Sequence, residues 1–135
     1  MRILFALILS AVPAFAGETV SQSGDISVDE WREMALGKTL TYMVGPEFFA
    51  LERYAPTGNR VDLQLNTGEC LAGTWSHSGN TYCFDWGDDR AACFRHVRTG
   101  DGISIIQMDN GVETSNIQQM VNITDAPLSC GQHMS

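Results

Sequence analysis

From Lys38 to Ile123 turn-forming residues interrupt the chain every eight to twelve positions, and between the interruptions apolar residues alternate with polar ones. The breaks fall at Gly45-Pro46, Ala55–Asn59, Asn66-Thr67-Gly68, Ser76–Asn80, Gly87-Asp88-Asp89, Thr99–Gly102 and Asp109-Asn110-Gly111. A period of two bounded by such residues is the pattern of half-buried strands, because successive side chains of a strand point to opposite faces. It predicts strands at Thr39–Val44, Phe48–Tyr54, Arg60–Leu65, Cys70–Trp75, Thr81–Trp86, Ala91–Arg98, Ile103–Met108 and Val112–Ile123. Short connections leave an antiparallel meander as the simplest order. Eight such strands must hide two sheet edges, and curling into a small up-and-down barrel does so.

The segment before the strands carries a different signal. Ser27-Val28-Asp29-Glu30 is a capping box, in which the Ser27 hydroxyl accepts from the Glu30 amide and the Glu30 carboxylate reaches back to the Ser27 amide. Val28, Trp31, Met34 and Ala35 then share one helical face, and Gly37 suits a left-handed stop. A helix of about nine residues is not stable alone, so Trp31 and Met34 must pack on the sheet. Residues 17–26, small and polar, are expected to be a flexible leader, with a single barrel domain over residues 27–135.

Residues 1–16 read as a cleaved export signal: Arg2, an apolar run from Ile3 to Val12, then Ala14-Phe15-Ala16. The run is well short of the roughly 20 residues that span a bilayer, so no membrane insertion is expected after cleavage. Cleavage would remove one of the 8 basic residues and none of the 16 acidic ones, making the net charge of −8 more negative still. Such a chain repels nucleic acid and anionic lipid. The expected location is exported, either periplasmic or secreted.

An exported chain with four cysteines, Cys70, Cys83, Cys93 and Cys130, is expected to form two disulfides, for which three connectivities exist. A hairpin with the loop Gly87-Asp88-Asp89 selects among them. Symmetry about Asp88 sets Cys83 opposite Cys93, Phe84 opposite Ala92, and Tyr82 opposite Phe94. That leaves Cys70 for Cys130. In the chain-entropy account the short loop contributes about 2.5 to 3 kcal/mol and the long one about 4 kcal/mol. No C-x-x-C spacing suggests a metal or haem site, so neither metal nor cofactor is expected. Asp85, Asp88 and Asp89 lack the spacing of a calcium loop and read as a solvated turn.

The same register sorts the hairpin's faces. Tyr82, Phe84, Trp86, Ala92, Phe94 and His96 share one, and Cys83, Asp85, Cys93, Arg95 and Val97 share the other. The aromatic face is core or the lining of a cavity, and His96 on it is either a core histidine or a ligand-binding one. In Gly73-Thr74-Trp75 the glycine admits a sharp bend or the close approach of another group.

Gly73-x-Trp75 resembles the lipocalin signature, in which the tryptophan closes one barrel end. There it lies on the first strand, and here on about the fourth. The order Leu36-Gly37-Lys38-Thr39, Tyr54-Ala55-Pro56-Thr57-Gly58, Gly73-Thr74-Trp75, Tyr82-Cys83-Phe84-Asp85-Trp86 and Cys93 is similar to a group of small exported bacterial proteins. The resemblance implies a calycin-like barrel and supplies no catalytic residue.

Three functions are open. A protein-binding module or inhibitor, the preferred reading, needs a filled interior and exposed aromatics such as Phe48, Tyr54 or Trp75 gathered into a patch. A carrier of a small apolar ligand needs the face of Tyr82, Phe84, Trp86, Phe94 and His96, with Trp75, to enclose an empty cavity of about 300 Å³ or more. A small enzyme needs His96 beside Glu52 or Asp85. Digestion with chymotrypsin under non-reducing conditions, which cuts at Trp75 between Cys70 and Cys83, should release Cys83 linked to Cys93 and Cys70 linked to Cys130. A Cys70–Cys83 link would refute the hairpin register.

Overall fold

The computed structural model describes residues 24–100 and 102–130. The expected signal, most of the expected leader and the last five residues lie outside them. One helix, α1 (Val28–Ala35), precedes eight strands: β1 (Thr39–Val44), β2 (Glu47–Tyr54), β3 (Arg60–Leu65), β4 (Cys70–Ser78), β5 (Thr81–Asp85), β6 (Ala91–Thr99), β7 (Gly102–Asp109) and β8 (Val112–Thr124). They form a closed antiparallel barrel in sequence order, with β1 pairing β8. The bounds match the sequence expectation within a few residues. The largest difference is β4, where Ser76, His77 and Ser78 pair with Cys83, Tyr82 and Thr81. Their polar side chains suggested a loop, but the turn needs only Gly79-Asn80.

The β5–β6 hairpin has the expected register, with Cys83 opposite Cys93 at a Cα separation of 4.0 Å. Both disulfides form as expected. Asp88 and Asp89 adopt φ of 51° and 60° in the turn, and Asp85 Oδ1 accepts from the Gly87 amide at 2.9 Å. The aspartates therefore serve local turn geometry.

Helix α1 plugs the barrel end at which β1 begins. Ser27 caps it, accepting from the Glu30 amide at 3.2 Å. The reciprocal half of the capping box is not made, because the Glu30 carboxylate pairs with Arg98 on β6 instead. Trp31 is fully buried among Tyr54, Tyr82 and His96, with ring centroids 6.1, 5.8 and 4.0 Å away.

Gly24–Ile26, expected at the end of a flexible leader, are docked. They run along β6 beyond its pairing with the first residue of β5, with Ile26 N donating to His96 O at 2.9 Å and Arg98 N to Gly24 O at 2.7 Å. Arg95 forks onto both carboxylate oxygens of Asp25, and the Tyr82 hydroxyl donates to Ile26 O. Ile26 is 2% exposed in the core, but a single apolar residue was too short a pattern to show a docking otherwise held by backbone and charge. At the other terminus Leu128 is buried, and Gln64 exchanges two hydrogen bonds with Ser129 beside the Cys70–Cys130 link. The tail is pinned on the outer wall.

Gly73 faces inward on β4, and its missing side chain leaves room for β5. A Cβ there would lie 2.3 Å from the Asp85 carbonyl oxygen and 2.7 Å from the Trp86 ring. Gly73→Ala should therefore destabilise the fold by about 1 to 3 kcal/mol, the usual cost of overpacking. Gly102→Ala, with open space around it, serves as the near-neutral control in urea unfolding. Equal midpoints for the two variants would show that the Gly73 approach carries no constraint.

Candidate functional site

The half of the barrel away from α1 holds a partly open cavity of about 200 Å³. Phe84, Trp86 and Phe94 of the β5–β6 hairpin form one wall, with Phe49, Leu63 and Ile105 completing it. Phe49, Trp86 and Phe94 are only partly buried and mark the side nearest solvent. Tyr42, Glu52 and His96 supply the buried polar lining, and Gln107 and Gln118 add neutral amides.

Four of the six residues expected at a site, Phe84, Trp86, Phe94 and His96, line this cavity. Tyr82 and Trp75 do not. Tyr82 stacks on His96 at 3.8 Å with an interplanar angle of 2° and holds it from behind. Trp75 packs towards α1 on Tyr54 and Tyr82, with the Arg32 guanidinium 5.7 Å from its ring centroid. The surface patch expected of Phe48, Tyr54 and Trp75 is not assembled: Tyr54 is 0% and Trp75 5% exposed, against 41% for Phe48.

A β-bulge explains the Phe48 difference. Tyr42 pairs with Ala50, but Met43 pairs with Phe48, so Phe49 is an extra residue on β2. Phe48 is thereby turned out of the inner face followed by Ala50, Glu52 and Tyr54. Phe49 takes its place on the cavity wall. The sequence Phe48-Phe49 could not show which ring is inside.

Glu52 is the residue that hydropathy alone sends to the wrong side. It is 6% exposed, and its Oε1 accepts from the Tyr42 hydroxyl at 2.8 Å. Burial pushes its carboxyl up to about 7, while the hydroxyls of Tyr54 and Tyr42 pull it partway back. The Tyr54 hydroxyl lies near this carboxyl without a hydrogen bond of good geometry, and the buried Trp31 Nε1, Trp75 Nε1 and His96 Nδ1 likewise have no partner among the described residues. Glu52 shares its face with Ala50 and Tyr54, but Phe49 and Leu51 on the other parity leave its side undecided from the sequence. Of its two suggested partnerships for His96, Glu52 lines the same cavity and Asp85 is exposed on the outer face.

Burial pushes His96 down to about 3, with His77 adding a smaller effect of the same sign. At neutral pH it is an uncharged hydrogen-bonding group, too weak a base to suit proton abstraction. No family model, curated protein or solved structure matches this chain.

The two buried groups oppose one another in pH. Glu52 holds its proton more tightly in the folded state, so its contribution to stability falls as pH rises from 4.5 to about 7. His96 is held neutral, so its contribution is complete above 6.5 and is lost as pH falls towards about 3. Glu52→Gln removes one slope. Relative to the unmodified protein, the variant should gain about 3 kcal/mol between these two pH limits, roughly 1.4 kcal/mol per unit. Urea unfolding across that range measures the difference directly, and a difference that does not vary with pH would contradict the burial of an ionisable Glu52.

Proposed function

We propose that this protein is an exported, non-catalytic binder of a small molecule held in the barrel lumen. The observation that carries the reading is the cavity beside His96, about 200 Å³ in volume, with aromatic walls and a buried polar floor. Ligand sites combine largely apolar linings with a few placed polar groups in this way. The volume lies below the roughly 300 Å³ at which drug-sized pockets begin. It exceeds the roughly 150 Å³ of an engineered cavity that takes up benzene. The ligand is thus about the size of a substituted single ring.

Two disulfides fit an oxidising environment, and among the described residues no helix is long and apolar enough to cross a membrane. Together with the signal-like start of the chain they support export. A protein-binding module finds less support, since two of the three aromatics it needs at the surface are in the core. Catalysis would need Glu52, pushed up to about 7, to act as the base, since His96 is poorly suited to that role at neutral pH.

Toluene is a sufficient probe of the lumen. At about ten times its Kd it should stabilise the fold by about 1.4 kcal/mol and raise Tm by several degrees. Leu63→Trp, which fills the cavity from β3, should remove the shift. An unshifted Tm in the unmodified protein, or the same shift in the variant, would overturn lumen binding.

A further inference from the structure

We infer that the lumen takes a small protonated amine with an apolar body, its ammonium group seated on the Glu52 carboxylate. This rests on the lumen-binding reading above and assigns the chemical class of its ligand.

Glu52 is the starting point. It is the acidic residue of the cavity lining, which contains neither Lys nor Arg among the described residues. No cation of the described residues lies within salt-bridge distance of it. A carboxylate enclosed by apolar walls costs several kcal/mol unless a cation or enough hydrogen bonds compensate it. The Tyr42 hydroxyl supplies one such bond at 2.8 Å. A cationic ligand supplies the missing charge, an anionic one adds repulsion, and a neutral one leaves the carboxylate as it was.

Three further observations point the same way. The walls present Tyr42, Phe49, Phe84, Trp86 and Phe94, and aromatic faces attract cations while also accepting an apolar body. His96, 1% exposed, lines the same cavity. Its neutral ring has one acceptor nitrogen, and an ammonium has protons to donate beyond the one given to Glu52. The whole chain, at a net charge of −8, draws cations towards it and repels anions.

The pH dependence follows from what surrounds the carboxyl. The titratable groups facing it are Tyr42 from β1, Tyr54 on its own strand and His96 across the cavity from β6. Leu63, Ile105 and Gln118, from β3, β7 and β8, bring no charge. Burial holds Glu52 at about 7. An alkylamine, like lysine, stays protonated to about pH 10. Acidification therefore removes the carboxylate and leaves the ligand's charge unchanged.

The experiment compares 2-phenylethylamine with its neutral isostere propylbenzene and with the anion 3-phenylpropionate, each titrated into the exported protein by calorimetry. At about pH 8 the amine should bind at least about tenfold tighter than propylbenzene, and roughly tenfold weaker at about pH 6. Glu52→Gln should lose the preference for the amine and keep propylbenzene binding. Should that variant fail to fold, Tyr42→Phe provides a second reading: loss of its hydrogen bond raises the Glu52 carboxyl further, so the midpoint of the amine's pH profile should move up. Propylbenzene binding as well as the amine, phenylpropionate binding best, or an amine affinity independent of pH would each overturn the amine assignment and leave lumen binding standing. No binding by any of the three would remove both.

Discussion

Closure between β1 and β8 is the constraint on which the rest of this molecule depends. Thr39, Leu40 and Thr41 pair with Thr124, Ile123 and Asn122, residues more than eighty positions away in the chain. The ladder removes both free edges of the sheet and gives it an inside. Without it Leu40, Tyr42, Ala50 and Tyr54 would line one face of an open sheet; with it they are in a core 0 to 5% exposed. The two disulfides reinforce this arrangement from outside, one across the β5–β6 hairpin and one holding the tail against β4.

The barrel interior is divided into two unequal environments. At the α1 end Trp31 fills the space between Tyr54, Tyr82 and His96. At the other end the side chains stop short of filling it. His96 belongs to both regions: its ring packs 4.0 Å from Trp31 and also lines the cavity. Tyr82 stacks behind it and is itself anchored by its hydroxyl to Ile26. The docked segment Gly24–Ile26 therefore has a role in setting the floor of the cavity, which its small polar residues did not suggest. Burial acts on the two ionisable groups of this floor in opposite senses, raising Glu52 and lowering His96. Both shifts favour the uncharged form, as expected where neither group has a counter-charge among the described residues.

Much of the site wall was legible in the sequence. The alternation Tyr82, Phe84, Trp86 and its mirror Phe94, His96 follow from hairpin symmetry, and four of those five side chains line the cavity. The polar part was harder to see. In Glu47–Tyr54 apolar residues occupy both parities, so neither face declares itself. Glu52 was recognisable only as a possible partner for His96, and Tyr42 only as the apolar neighbour of Leu40 on one face of β1. The bulge at Phe49 changes which phenylalanine points inward, and no local residue choice announces it.

The strands, their turns, the helix start at Ser27 and the Cys83–Cys93 pairing were determined by the sequence itself. Each depends on interactions within about a dozen residues: side-chain alternation, turn chemistry, a cap hydroxyl and hairpin symmetry. Tertiary structure alone decided that Glu52 is inside and uncompensated, that Phe49 replaces Phe48 on the wall, and that α1 leaves one end of the lumen unfilled. Those outcomes depend on bulges and on closure between distant strands, where a one-residue shift in register exchanges the inner face for the outer.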